Sequence, residues 1–258
     1  MITVTVTNQK GGVGKTSTAH ALITGLQAYG YKVLAIDLDP QTNLTYTSGN
    51  FPDLPTLYDA FTGKASIQDV ITKSSVGYDV TPGDVSFSSA DMEFTAKNKT
   101  FILKGLLEPI KENYDYCIID TPPTLGILTI NALSTSDKAI IPMNADIYSA
   151  QGLSQLWSLM DSVRTYCNPD LITAGILINR FNARSVINRQ INDSIYDIAK
   201  TLNTHVFMSH IREAVAVKEV QYMQGSLFRD YPSAKVTSDY WHFIDEFLGK
   251  PVILNTIK

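Results

Sequence analysis

Cysteine is nearly missing from this chain, with 2 in 258 residues, Cys117 and Cys167. Two thiols so far apart supply neither a disulfide framework nor a metal-ligand spacing, so a reduced, cytoplasmic setting is expected. Long apolar runs are missing too. No stretch approaches the ~20 residues that span a bilayer, and Met1 leads into a strand-like run with no leader pattern. A surplus of positive charge is also lacking. Lys and Arg number 21 against 25 Asp and Glu, a formal net of −4, which speaks against wholesale nucleic-acid binding. Residues 1–150 carry 10 basic and 15 acidic side chains, residues 151–258 carry 11 and 10, so a basic surface belongs to the C-terminal half. Repeats, low-complexity tracts and linkers are absent. At 44% hydrophobic residues, the length suits a single α/β domain over 1–258.

What is present centres on Lys10-Gly11-Gly12-Val13-Gly14-Lys15-Thr16-Ser17. The alternating β-branched run Ile2–Thr7 before it reads as a buried strand, and Thr18–Tyr29 after it reads as a helix stopped by Gly30. Strand, glycine loop and Gly-Lys-Thr at a helix start form a P-loop. Backbone N–H groups turn toward phosphate, the helix N-terminus adds partial positive charge, Lys15 reaches the β- and γ-phosphates and the Thr16 hydroxyl ligates Mg²⁺. The usual first glycine is replaced by Gln9, and Lys10 stands where an ordinary loop residue would be. The competing reading is a plain glycine turn between strand and helix.

Two further strands end in acids. Lys32–Gln41 carries Asp37 and Asp39 at its carboxyl end, expected to point the same way on the rim that holds the P-loop. Carboxylates beside a triphosphate order metal waters or orient an attacking water; alternatively, Asp39-Pro40 is a solvated turn. Tyr114–Asp120 followed by Thr121-Pro122-Pro123 has the Walker-B arrangement, with Asp120 in the Mg²⁺ shell and a stiff segment able to respond to the γ-phosphate.

Helices are expected over about 89–113, 125–133, 152–166, 186–202 and 234–248, and strands at 138–143 and 171–178, giving a mostly parallel twisted sheet flanked by helices. Residues 41–65 read as loop with one helical turn near Thr56–Phe61. Asn179 closes a strand on the ligand rim, where its amide suits an adenine edge or simply caps a loop. No Asn-Lys-x-Asp pattern selects GTP. Arg180, Arg184 and Arg189 follow with no acid between them. They read as phosphate-backbone contacts, with Lys218 grouped beside them, or as a solvated face.

Taken together, Lys10–Ser17, Asp37-Leu38-Asp39-Pro40-Gln41 and Asp120-Thr121-Pro122-Pro123 resemble the ParA/Soj family of partition ATPases, the deviant Walker-A branch of P-loop NTPases. The likeness continues through Thr56–Asp59, Ile141–Asp146 and Ile211–Glu213 and covers nearly the whole chain, in a compact form without an N-terminal helix-turn-helix. The resemblance implies ATP and Mg²⁺ as cofactors, with weak intrinsic hydrolysis. It implies a nucleotide-dependent homodimer in which Lys10 reaches the partner's phosphates. Lys15, Thr16 and Asp120 take the ordinary P-loop and Walker-B roles, and Asp39 positions the hydrolytic water. Asn179, Arg180, Ile211 and Arg212 fall where the family holds adenine. Arg212 and Ala214 depart from the Pro and Asn frequent there, so contact from Ala214 is through backbone, and Gln151 stands where relatives often have Glu. The implied partners are non-specific DNA and a ParB-type centromere-binding protein, in plasmid or chromosome segregation at the nucleoid. Two other readings share the nucleotide site. A MinD-like membrane-positioning ATPase needs a basic amphipathic tail, which 249–258 lacks. A relative of nitrogenase iron protein needs bridging cysteines on a dimer face.

Overall fold

The computed structural model describes residues 1–95, 97–145, 149–182 and 186–250, the side chains of 97, 98, 149–151, 186–190 and 192 aside. Arg184 and the tail beyond 250 lie outside the described residues, as do the side chains of Gln151 and Arg189.

The strands are β1 (Ile2–Val6), β2 (Val33–Asp37), β3 (Thr72–Lys73), β4 (Asp79–Thr81), β5 (Tyr116–Asp120), β6 (Lys138–Asn144), β7 (Ile172–Asn179) and β8 (Val206–Ile211). They form one sheet in the order β3-β4-β2-β5-β1-β6-β7-β8, parallel except at the short β3–β4 edge. Such a sheet is buried on both faces, which is why its strands are apolar almost throughout. Successive residues serve opposite cores. Val33, Ala35, Tyr116 and Ile118 pack one side, while Leu34, Ile36, Cys117 and Ile119 pack the other.

The first face is covered by α1 (Lys15–Ala28) and by two helices that come much later in the chain. Between them in sequence come α2 (Asn43–Ser48), α3 (Ile127–Thr135), α4 (Ser149–Tyr166) and α5 (Val186–Thr201). The covering pair are α6 (Val215–Tyr222) and α7 (Lys235–Phe247), the latter burying Tyr240, Phe243 and Ile244 against β8 and α1. Helices α3 to α5 cover the opposite face.

Residues 89–113 are the main departure from the expected helices. Helical turns at Ala90–Glu93 and Ile102–Leu107 alternate with 3₁₀ turns at Lys97–Phe101 and Glu108–Asn113. Phe94 leaves helical geometry at φ −102° and ψ 52° to bury its ring, and Pro109 offers no N–H to continue a helix. Helices α2, within an expected loop, and α6 were not anticipated. Both are short, and the Val-rich start of α6 carries more strand than helix propensity.

Parallel register sets the site. Val6, Asp120 and Asp37 are aligned across β1, β5 and β2. Asn144, Asn179 and Ile211 are aligned across β6, β7 and β8. The carboxyl ends of the strands therefore share one rim, where α/β sheets bind ligands.

His20 on α1 gives the core an acid-sensitive point. It is 4% exposed and its Nε2 has no hydrogen-bond partner, while its ring meets Tyr78 edge-on at 6.2 Å. Burial pushes its pKa down to about 4. The unfolded chain takes up a proton near pH 6.5 that the folded chain refuses until about pH 4. Stability is therefore complete above the higher value and is lost as pH falls between the two, by about 3 kcal/mol in all. In urea unfolding, the parent should lose ~2.5 kcal/mol more than His20→Gln between pH 7 and pH 4.5. Equal losses would place the acid sensitivity elsewhere.

Candidate nucleotide site

The glycine loop between β1 and α1 is held open by backbone geometry. Gly12 and Gly14 have φ of +74° and +87°, a region costly for residues with a Cβ. At Gly14 the requirement is doubled, because a Cβ would stand 2.7 Å from Asn179 Nδ2. That amide donates to the Val13 carbonyl at 2.8 Å and to Thr18 Oγ1 at 3.2 Å. Asn179 thus braces the P-loop from β7, while its Oδ1 is buried without a partner. On the other flank, Asn8 Nδ2 donates to the Pro142 carbonyl at 2.8 Å and its Oδ1 accepts from Lys10 N–H at 3.0 Å.

Lys15 is buried, and its ammonium donates to the Lys10 carbonyl at 3.2 Å. Burial lowers its pKa, opposed by the negative charges of Asp120 and Asp39. Asp120 is wholly buried, and neither carboxylate oxygen has a hydrogen-bond partner of ordinary geometry. Burial holds its pKa well above the usual carboxylate range, with Asp37 adding to the rise and the Thr16 hydroxyl opposing it. Burial also raises Asp39, against the Gln41 N–H that donates to its Oδ1 at 3.0 Å. A lysine and two carboxylates are thus all held out of water, with two acceptor oxygens unsatisfied.

The residues fit a nucleotide with a divalent metal. A cavity of about 530 Å³ is lined by the glycines of the loop, Lys15, Thr16, Ser17 and Asp39, with Arg180 at its edge. Among the described residues no three His, Cys, Asp or Glu side chains converge as a metal cage. Mg²⁺ suits such a place, since it takes few protein ligands and completes its shell with phosphate oxygens and water. Thr16 and the unpaired Asp120 oxygens are the available donors. A smaller cavity of about 140 Å³ adjoins it, lined by Asn179, Arg180, Ile211, Arg212 and the backbone-bearing turn at Glu213 and Ala214, with Lys218 at the mouth.

Asp37, expected as a metal ligand, is placed otherwise. Its Oδ1 accepts from Asp39 N–H at 3.1 Å, and its Oδ2 accepts from Thr45 N–H and Oγ1 at 2.8 and 2.7 Å. Strand β2 ends at Asp37, so the alternation that would align it with Asp39 stops there. Asp37 pins the loop that carries Asp39, and burial pushes its pKa up to about 6. Thr45, which does this from α2, was missed for want of the helix. So was Gln221 on α6, whose amide donates to Ser17 Oγ at 3.0 Å. Arg180 lines both cavities, which sets it at the rim they share. Arg212 is fixed to Asp239 by 2.6 and 2.7 Å bonds. Val13 lies wholly buried beneath the loop.

A family model described as an AAA domain matches residues 1–173. The sporulation initiation inhibitor Soj of Bacillus subtilis is 37% identical over 84% of this chain and 86% of its own length. The chromosome partitioning protein ParA of Myxococcus xanthus is 37% identical over 99% of this chain and 82% of its own. This chain belongs to the ParA/Soj family. Among solved structures, Cyanothece McdA superposes with a TM-score of 0.86 at 26% identity, covering 96% of this chain and 100% of that one. A Mycobacterium smegmatis protein titled cobyrinic acid a,c-diamide synthase, with bound ATP analogue and magnesium, has a TM-score of 0.84 at 27% identity, covering 96% and 94%. The ParA/Soj fold, with its P-loop ATPase core, accounts for the cavity at the strand ends.

Gly14→Ala tests the brace. It should cost about 1–2 kcal/mol of stability from the left-handed backbone alone. It should also weaken binding of a fluorescent ATP analogue by at least about ten-fold, since the loop must shift off Asn179. Parent-like binding would show that the close approach is not needed.

Proposed function

We propose that this chain is a Mg²⁺-dependent DNA-partitioning ATPase, cytoplasmic and nucleoid-associated, that moves a plasmid or chromosome region. The observation that carries the reading is a P-loop with two lysines, Lys10 and Lys15, the second of them paired in charge with the buried carboxylate of Asp120. Family membership supports it, as do relatives named for chromosome partitioning. A Borrelia burgdorferi plasmid partition protein bound to AMPPNP adds support at a TM-score of 0.78.

In this reading the loop N–H groups and Lys15 bind the triphosphate. Thr16 and Asp120 would hold Mg²⁺, which would supply charge neutralisation at the phosphates. Asp39, on the cavity wall, orients the attacking water. Lys10 extends from the loop start to the phosphates of a second copy, so the γ-phosphate joins two subunits and its loss separates them. The dimer binds DNA non-specifically, with Arg180, Arg189 and Lys218 as candidate contacts; Arg184, grouped with them in sequence, lies outside the described residues. A ParB-type partner stimulates hydrolysis and release.

Two measurements test the reading. Retention of the chain on non-specific DNA should require ATP, fail with ADP or without nucleotide, and fall steeply with salt. Nucleotide-independent retention, or none, would count against partition, and ATP-dependent recovery with anionic liposomes instead would favour membrane positioning. Lys10→Ala should keep monomer ATP binding near the parent's while losing ATP-dependent dimerisation and turnover. A variant that dimerises and hydrolyses as the parent does would remove the role in trans.

A further inference from the structure

The turn that closes the smaller cavity is tied down by a contact that phosphate chemistry does not need. Asp239 stands on α7, 8% exposed, and gives its carboxylate to a single residue of the facing turn. Its Oδ2 accepts from the Arg212 N–H at 3.1 Å and from Nε at 2.6 Å, and its Oδ1 accepts from Nη2 at 2.7 Å. A two-pronged guanidinium–carboxylate pair fixes orientation as well as distance. The added main-chain bond fixes the peptide itself. Asp239 does not line the cavity, whereas Ile211, Arg212, Glu213 and Ala214 do, as does Tyr240, the next residue on α7.

The pair is not required to dock α7. Tyr240, Phe243 and Ile244 are buried, and Glu246 binds the N–H groups of Met208 and Ser209 at 2.7 and 3.1 Å. What Asp239 adds is local. It holds residues 211–214 in one conformation and occupies two donor arms of Arg212. Those arms would otherwise face a purine site, and a free guanidinium pairs well with the O6 and N7 acceptors of guanine.

We propose that Asp239 is a positioning residue for the nucleobase: it sets the backbone that meets adenine and withholds Arg212 from guanine. The proposal rests on the nucleotide reading above. It predicts that the base end and the phosphate end can be weakened separately.

The test uses the full chain and a fluorescent ATP analogue displaced by ATP, GTP or inorganic tripolyphosphate. Asp239→Asn should weaken ATP about ten-fold, narrow the ATP-to-GTP preference and leave tripolyphosphate unchanged. In turnover the loss should fall on KM and not on kcat. Arg212→Ala should weaken ATP similarly with no gain toward GTP, since the competing donors are gone. Arg212→Lys, which keeps the charge and breaks the fork, supplies the comparison if Asp239→Asn melts early. Equal weakening of ATP and tripolyphosphate would reduce the pair to a structural tie and overturn the proposal, as would unchanged ATP affinity in all three variants. Failure of the nucleotide reading would show in the parent, as no displacement by any of the three competitors, and would overturn the proposal with it.

Discussion

A buried ammonium facing two buried carboxylates, Lys15 with Asp120 and Asp39, is the arrangement on which the rest of the structure depends. Each group is held against its preference for water, as the lowered lysine and the raised acids register. Mutual attraction offsets part of the cost, but a pair buried without complementary hydrogen bonds rarely breaks even. Asp120 has only the Thr16 hydroxyl beside it, and no hydrogen bond of ordinary geometry among the described residues. Such a centre persists only because the surrounding sheet is stable enough to impose it, as functional sites commonly require. What relieves it is a ligand carrying negative oxygens for Lys15 and a cation for Asp120, which is the description of a metal–polyphosphate.

The surrounding polar contacts make sense as the means of imposing that centre. The carboxylate of Asp37 is spent on Thr45 and on the N–H of Asp39, so the loop that carries Asp39 starts from a fixed point. Asn179 and Asn8 hold the glycine loop from β7 and β6, and Gln221 holds the first turn of α1 from α6. Each brace comes from a different strand end or helix. The site is therefore a property of the whole rim, and parallel register brings the braces together. A loop of the same sequence outside this sheet would have the glycines without the walls.

How far the sequence anticipated this differs along the chain for physical reasons. Strand β1 was legible as an alternating β-branched run, and β2, β5, β6 and β7 because a sheet covered on both faces demands apolar runs that little else in the chain has. The P-loop and the strand-end acids stand out in the sequence because phosphate chemistry tolerates few residue types at those spacings. The hydrogen bonds of Asp37 to Thr45 and Asp39 were not legible, because side-chain alternation was extended past the true end of β2. Helices α2 and α6 escaped because each is short and gains its stability from packing at the rim more than from its own pattern. With them went Thr45 and Gln221, polar residues with no motif to mark them. The 89–113 region shows the converse error, in which apolar spacing fit a helix that Pro109 and the inward turn of Phe94 divide.

The two ends of the nucleotide cavity are built on different principles, and this bears on how the family varies. At the phosphate end most donors are backbone N–H groups and one lysine, so the geometry constrains glycines and permits little else. At the base end the wall is a turn whose backbone conformation is set from outside, here by Asp239 on a helix formed late in the chain. On the proposed reading, where main-chain groups meet the base, side chains such as Arg212 and Ala214 are tolerable there provided something holds the turn. Pro achieves that by restricting φ. An Arg–Asp fork achieves it by anchoring the peptide to α7. The fork is a tertiary restraint and not an intrinsic one, so it depends on charge and on the docking of α7, 27 residues further along the chain.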